Sequence, residues 1–134
     1  MERKMFLVFS HQLTDEQKKD AEKEFGVKEF VELPNELKQI WSQIDPDYDI
    51  CALREEVTVP IFNFIERNAE EEDIVLVQGD VGACYELVRY LEDEDLDIAV
   101  VYATTERDSK EIAQPDGTVK KVSVFKHVRF RRYF

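Results

Sequence analysis

Three clusters of polar residues each follow an apolar run in this chain. Ser10-His11-Gln12 follows "MFLVF", Gln78-Gly79-Asp80-Val81-Gly82 follows "DIVLV", and Thr104-Thr105-Glu106-Arg107 follows "IAVVYA". His11 is one of two histidines. An imidazole titrates near neutrality and can act as a general acid or base; its plainer role is as a partly buried hydrogen-bonding residue. Gly79 and Gly82 permit close approach of the backbone, and a helix starting just after them would aim N–H groups at an anion. GxxG is not the GxGxxG dinucleotide fingerprint, and no P-loop Lys-Ser/Thr follows. Asp80 repels phosphate, so it either meets a hydroxyl or a base or simply caps the helix. The hydroxyls of Thr104 and Thr105 meet a ligand or bond to neighbouring backbone. Arg107 suits a phosphate or pairs with an acid. No spacing demands a metal site from His11, His127 and Asp80.

The C-terminal stretch "VFKHVRFRRYF" interleaves bases with aromatics. In a regular strand Lys126, Val128, Phe130 and Arg132 share one face, and His127, Arg129, Arg131 and Tyr133 the other. Such a strand can wall a site with cations and stack aromatics on a nucleobase. The alternative is an edge strand kept soluble by charge.

Elements that would position these residues are legible in order. Lys4 to Ser10 reads as a central strand, apolar throughout. Thr14-Asp15-Glu16-Gln17 fits a capping box for a helix ending near Phe25, with Gly26 as its C-terminal left-handed residue. Val27 to Leu33 is a second strand. Pro34 opens a helix with Leu37, Ile40, Trp41 and Ile44 on one face. Leu53 to Asn68 forms another, kinked or restarted at Pro60. Asp73 to Gln78 is the third strand, followed by a helix whose inner face carries Cys84, Leu87, Val88 and Leu91. Ile98 to Ala103 is the fourth strand, and a β-hairpin turns at Pro115-Asp116-Gly117-Thr118. Strand–helix alternation of this kind implies an α/β fold, a Rossmann-like three-layer sandwich with a mainly parallel central sheet and a C-terminal hairpin. Ligands then bind beyond the carboxyl ends of the strands, the edge where all three polar clusters belong.

At 134 residues the chain fits one domain, residues 1–134, with the hairpin and basic tail over about 109–134. No apolar run approaches the roughly 18 residues of a membrane span, no signal peptide is legible, and a cytoplasmic location is expected. Two cysteines without CxxC spacing argue against a disulfide framework or a Cys-based zinc site. The net charge of −12 argues against sequence-blind nucleic-acid binding. That charge is uneven: Val119 to Phe134 holds six of the 18 basic residues and no acid, which leaves 12 bases against 30 acids elsewhere, a formal −18. A basic strip on an acidic body suggests a local anion site, or a solvated tail.

Taken together, "LVFSHQLTDEQ", "LPNELKQIWSQIDP", "DIVLVQGDVGACYELV", "YATTERDSKE" and "PDGTVKKVSVFKHVRFR" resemble one family over nearly the whole chain. It is a small stand-alone protein of type III CRISPR systems, related to the CRISPR-associated Rossmann-fold (CARF) domains. The resemblance implies a homodimer that binds cyclic oligoadenylate second messengers, and a ring nuclease that linearises cyclic tetra-adenylate. It implies no metal or other cofactor: the ribose 2′-hydroxyl attacks the adjacent phosphorus and leaves a 2′,3′-cyclic phosphate. It gives no reason to expect a membrane, DNA or an obligate protein partner.

That chemistry needs in-line positioning, charge stabilisation at phosphorus and a path for the proton. His11, Arg107 and Lys126 are the candidates for catalysis. Ser10, Gln12, Gln78, Gly79, Asp80, Gly82, Thr104, Thr105, His127 and Arg129 are the candidates for ligand binding. A non-catalytic sensor or sponge would use the same residues, and a nucleic-acid-binding accessory protein would use the tail alone.

Overall fold

The computed structural model describes residues 2–134, so of the expected domain only Met1 lies outside the described residues. The elements run β1 (Arg3–Val8), α1 (Asp15–Phe25), β2 (Val27–Glu32), α2 (Asn35–Ser42), α3 (Ile50–Leu53), a π-helical turn (Arg54–Thr58), α4 (Val59–Asn68), β3 (Ile74–Val77), α5 (Val81–Asp93), β4 (Ala99–Ala113) and β5 (Val119–Arg132). They form an α/β fold around one five-stranded sheet of order β2-β1-β3-β4-β5. The first four strands in that order are parallel, and β5 is antiparallel to β4.

Alternation along the strands sorts side chains into two cores. Met5, Ile74, Leu76 and Val101 pack on one face, against Ala21 of α1 and Phe130. Phe6, Val8, Val75, Val77 and Val100 pack on the other, against Trp41, Ile61, Ile65, Leu87 and Leu91 of the remaining helices. Burial on both faces is why β1 and β3 read as unbroken apolar runs. No helix among the described residues is long and apolar enough to cross a membrane.

Local signals act where the sequence placed them. Thr14 Oγ1 accepts from Gln17 N at 3.2 Å while Gln17 Oε1 accepts from Thr14 N at 2.9 Å, a reciprocal cap. Gly26 closes the same helix at φ 70°. The long helix starts earlier than expected, at Ile50, because Asp49 caps it through Ala52 N at 2.8 Å. Pro60 neither breaks nor restarts it. Proline offers no N–H and crowds the carbonyl four residues back, and the helix absorbs this with the wider turn just before it, where Val59 N donates to Arg54 O.

The hairpin differs more. β4 continues without interruption from Ala99 to Ala113 and pairs with β5 along its whole length. Past Ala103 it no longer has β3 beside it, since the last β3–β4 partners are Leu76 and Val101. The pair therefore leaves the sheet as a two-stranded ribbon. One extra residue, Val128, sits between the partners of Thr104 and Thr105. This β-bulge corrects the face assignment expected for the tail: His127 shares a face with Phe130, their rings 4.9 Å apart.

The entrance of the sheet is tied by Asp73, only 1% exposed. Its carboxylate accepts from Lys4 N at 2.9 Å and Glu70 N at 2.8 Å, with Lys4 Nζ 3.7 Å away. Replacing Asp73 with Ala leaves two partly buried donors without this partner, and a loss of roughly 1–3 kcal/mol is expected. The measurement is a urea unfolding curve, in which the midpoint falls while the slope is unchanged.

Candidate functional site

The carboxyl end of β3 is where distant parts of the chain meet. Gln78 N donates to Val8 O at 3.0 Å, joining β1. Gln78 O accepts from Trp41 Nε1 at 2.9 Å, joining α2. Gln78 Oε1 accepts from Ala103 N at 2.8 Å, joining β4. One residue back, Val77 O accepts from Tyr133 Oη at 2.6 Å, which anchors the C-terminus. Gly79 follows, and a Cβ built there would lie 2.8 Å from Trp41 Nε1. The group that exploits the missing side chain is thus the indole, which fills the space beside the turn. Asp80 then caps α5, its carboxylate accepting from Ala83 N at 3.0 Å. Gly82 has only Asp80 Oδ2, at 3.5 Å, near its own missing Cβ.

Beside this turn, on the α5 side of the sheet, a groove of about 590 Å³ opens. Its floor and walls are Gln78, Gly79, Cys84, Val88, Tyr102 and Tyr133, with Val81, Tyr85, Arg89 and Glu92 along α5. Val81 and Tyr85 are 85% and 62% exposed, apolar surface that nothing in the chain covers. Tyr102 and Tyr133 meet at 4.9 Å between ring centroids. The Arg131 guanidinium lies 5.6 Å over Tyr102 and donates to its hydroxyl at 2.9 Å. Arg89 lies 5.5 Å over Tyr85. Of the two rings Tyr85 is the exposed one and Tyr102 is half-buried; tyrosine faces beside guanidinium groups suit a planar ring carrying negative charge. Burial, and then Asp80, push the Cys84 thiol up to about 11. Burial, and then Cys84, also push the Tyr133 phenol up. Both therefore stay protonated at neutral pH.

The residues singled out from sequence fall into separate places. Ser10, His11 and Gln12 form the exposed turn after β1, with His11 edge-on to Phe9 at 5.5 Å. Phe9 packs with the α1-side core. Arg107 lies on the ribbon, donating to Ser123 Oγ at 3.1 Å. Its neighbour Glu106 pairs with Lys126, so Arg107 and Lys126 occupy opposite faces of the ribbon. Thr104 Oγ1 donates to Arg129 O at 3.1 Å and accepts from Arg129 N at 3.2 Å, which satisfies the bulge. Thr105 is exposed on the α1-side face, opposite His127. Arg129 reaches Glu24 at 4.0 Å. His127 is buried, its Nε2 2.7 Å from Asp20 Oδ2 on α1. Of the candidates, Gln78 and Gly79 line the groove. Among the described residues, no three His, Cys, Asp or Glu side chains are grouped as metal ligands.

Sequence reasoning missed Tyr85, Arg89 and Tyr102. Val81, Tyr85 and Arg89 fall four apart on α5, outside its buried stripe of Cys84, Leu87 and Leu91. An apolar and an aromatic residue off the core stripe of an amphipathic helix was the available signal.

A family model matches residues 3–131. The chain belongs to the uncharacterized protein MJ1673 family. The uncharacterized protein MJ1673 of Methanocaldococcus jannaschii is 45% identical over 130 residues, which cover 97% of this chain and 96% of that protein. No solved structure matches the chain. The groove, the Gln78 junction and the ribbon all lie within the matched span, apart from Arg132 and the terminal Tyr133-Phe134.

Two outcomes follow from this geometry. Gly79→Ala should displace Trp41, lower the melting temperature and shift indole fluorescence, whereas Gly82→Ala, in the first turn of α5, should leave stability equal or raised by up to about 1 kcal/mol. Because the Cys84 value is raised in the folded state, its contribution to stability is complete below the ordinary thiol value and is lost as pH rises through about 11. At pH 8 the exposed Cys51 should alkylate readily in the native protein and buried Cys84 should not, as mass spectrometry of the labelled chain would record.

Proposed function

We propose that this protein is a cytoplasmic ring nuclease of type III CRISPR signalling that binds cyclic tetra-adenylate as a homodimer and linearises it without a metal. In this reading the sheet is Rossmann-like and its helices form the outer layers of a three-layer sandwich. The observation that carries it is the groove at the carboxyl end of β3, where exposed Tyr85 lies beside Arg89 and half-buried Tyr102 beside Arg131. A volume of about 590 Å³ lies in the usual range for small-molecule sites. It holds one or two nucleotides, so a ring of four needs the grooves of two subunits. Adenines stack on the tyrosines, the guanidiniums offset the phosphates, and the acidic remainder of the surface excludes longer nucleic acids.

Cleavage requires the 2′-oxygen, phosphorus and 5′-oxygen in line. The new bond is 2′-O–P, the broken bond is P–5′-O, and the proton of the 2′-hydroxyl ends on the leaving 5′-oxygen. His11 is the candidate to carry that proton. Lys126, on the groove side of the ribbon, and Arg107, on the other, are the candidates to offset charge at phosphorus. A second reading, a sponge that holds the messenger intact, is favoured by one fact: His11 and Arg107 lie toward the α1 side of the sheet and the groove lies on the other.

The test is incubation of the purified protein with labelled cyclic tetra-adenylate and EDTA. Linear di-adenylate ending in a cyclic phosphate is the expected product. Recovery of an intact complex supports the sponge, and absence of binding defeats both readings. Tyr102→Ala should weaken binding by about 1–3 kcal/mol, the worth of one stacked base. His11→Ala should slow turnover by about a hundredfold or more with little change in affinity; unchanged turnover removes His11 from the mechanism.

A further inference from the structure

A second cavity lies where α5 meets the π-helical turn. It has a volume of about 330 Å³ and is lined by Arg54, Glu86, Arg89, Tyr90, Asp93 and Glu94. Glu86 is only 3% exposed. Arg54, at the start of the π-helical turn, donates to it from Nε at 3.1 Å and from Nη2 at 2.8 Å. Both bonds fall on the same oxygen, Oε1. Oε2 is buried and has no partner. A charged oxygen shut from water without a donor is costly, and in a folded protein it calls for an explanation. A purely structural pair would be better served by two parallel bonds, in which the guanidinium satisfies both oxygens.

We infer that this cavity binds a free α-amino acid by its zwitterionic head, the ammonium on Glu86 and the carboxylate on Arg54. Charge excludes simpler guests. A bare cation would face the guanidiniums of Arg54 and Arg89, and among the described residues no three side chains are grouped as metal ligands. A phosphate would face the carboxylates of Glu86, Asp93 and Glu94. A ligand with one charge of each sign, held close together, meets both sets. An α-amino acid carries its ammonium and carboxylate on one carbon, and the Arg54–Glu86 pair presents opposite charges 2.8 Å apart. Arg54 spends two of its five N–H groups on Glu86, which leaves three for a carboxylate. The terminal torsion of a glutamate is soft and nearly two-fold, so Oε2 turns toward the cavity while Arg54 keeps a bond to Oε1.

The cavity lies at the small end of the range for small-molecule sites, which suits a single amino acid. Its walls also select the side chain. Tyr90 packs on Phe62 at 5.8 Å between ring centroids and offers an apolar surface. Asp93 and Glu94 are exposed at the end of α5 and take part in no ion pair among the described residues. They favour a neutral or basic side chain over an acidic one. Arg89 also lines the larger groove. The amino-acid site nevertheless requires no nucleotide, so it stands or falls apart from the ring-nuclease reading.

The test is thermal unfolding of the full chain, without nucleotide, in the presence of each soluble L-amino acid at about 10 mM. At least one neutral or basic amino acid should raise the melting temperature by about 3 °C or more, as a millimolar site would. Isothermal titration calorimetry with that amino acid should show saturable binding of one molecule per chain. Its N-acetyl derivative and its amide, each lacking one charge of the head, should bind about tenfold more weakly or worse. Glu86→Gln should cost about tenfold in affinity. Should that variant fail to fold, Arg54→Lys, which keeps the charge and loses the fork, should cost a similar factor. The proposal fails if no amino acid raises the melting temperature, or if the blocked derivatives bind as well as the free compound. It fails equally if the folded variant binds as the native chain does, or if a crystal grown with the amino acid shows only an ordered water on Glu86 Oε2.

Discussion

The hydrogen bonds at Gln78 are the constraint on which the rest of the structure depends. A buried β-strand must satisfy its backbone groups, and its last residue has no strand continuation to do so. Here the solution recruits three separate elements: β1 supplies an acceptor, α2 an indole donor and β4 an amide. Each partner is thereby fixed relative to the others to within the tolerance of a hydrogen bond. The glycine that follows admits the indole, and the aspartate after it starts α5. Tyr133 adds the C-terminus through Val77. The groove exists because these ties hold Tyr102 and Tyr133 against the start of α5 while leaving Val81 and Tyr85 uncovered.

Much of this organisation is legible in the sequence, because it arises from local rules. A capping box, a left-handed glycine and an unbroken apolar strand act within a few residues of themselves, and Thr14, Gly26 and Ile74–Val77 behave accordingly. What was not legible depends on tertiary partners. Pro60 carries a signal for a break, yet packing of Val57, Ile61 and Ile65 into the core keeps one helix running through a widened turn. The polar run after Tyr102 resembles a strand end, but the antiparallel partner from Val119 onward supplies a ladder and the strand continues. A single bulged residue, Val128, reverses the parity of the tail and carries His127 into the α1-side core. Periodicity alone does not reveal an insertion of one residue in a ladder.

The candidate site shows the same division. Gln78 and Gly79 were recognisable as a strand-to-helix turn with chemical potential, and they do line the groove. Tyr102 and Tyr133 lie far apart in the chain, and only the β4–β5 pairing and the Val77 anchor bring their rings together. Several hydroxyl and carboxylate groups that look free in sequence are engaged by backbone: Thr104 by Arg129, and Asp80 by Ala83. This is the ordinary competition between local side-chain bonding and ligand binding for the same short polar residues.

The sheet itself then limits the chemistry. It divides the candidate groups into two sets, with His11 and Arg107 on the α1 side and the tyrosine–arginine groove and Lys126 on the other. A nucleotide lying only in the groove meets stacking surfaces and positive charge but no histidine. A ligand that reaches both sets must pass over the carboxyl edge of the strands, or meet the second set on another subunit. A cyclic oligonucleotide is large enough to do either, and a mononucleotide is not. On the reading proposed above, therefore, holding a base would require one groove, while cutting a phosphodiester would require a macrocycle that bridges the two sides of the sheet, and the size of the ligand would decide between them.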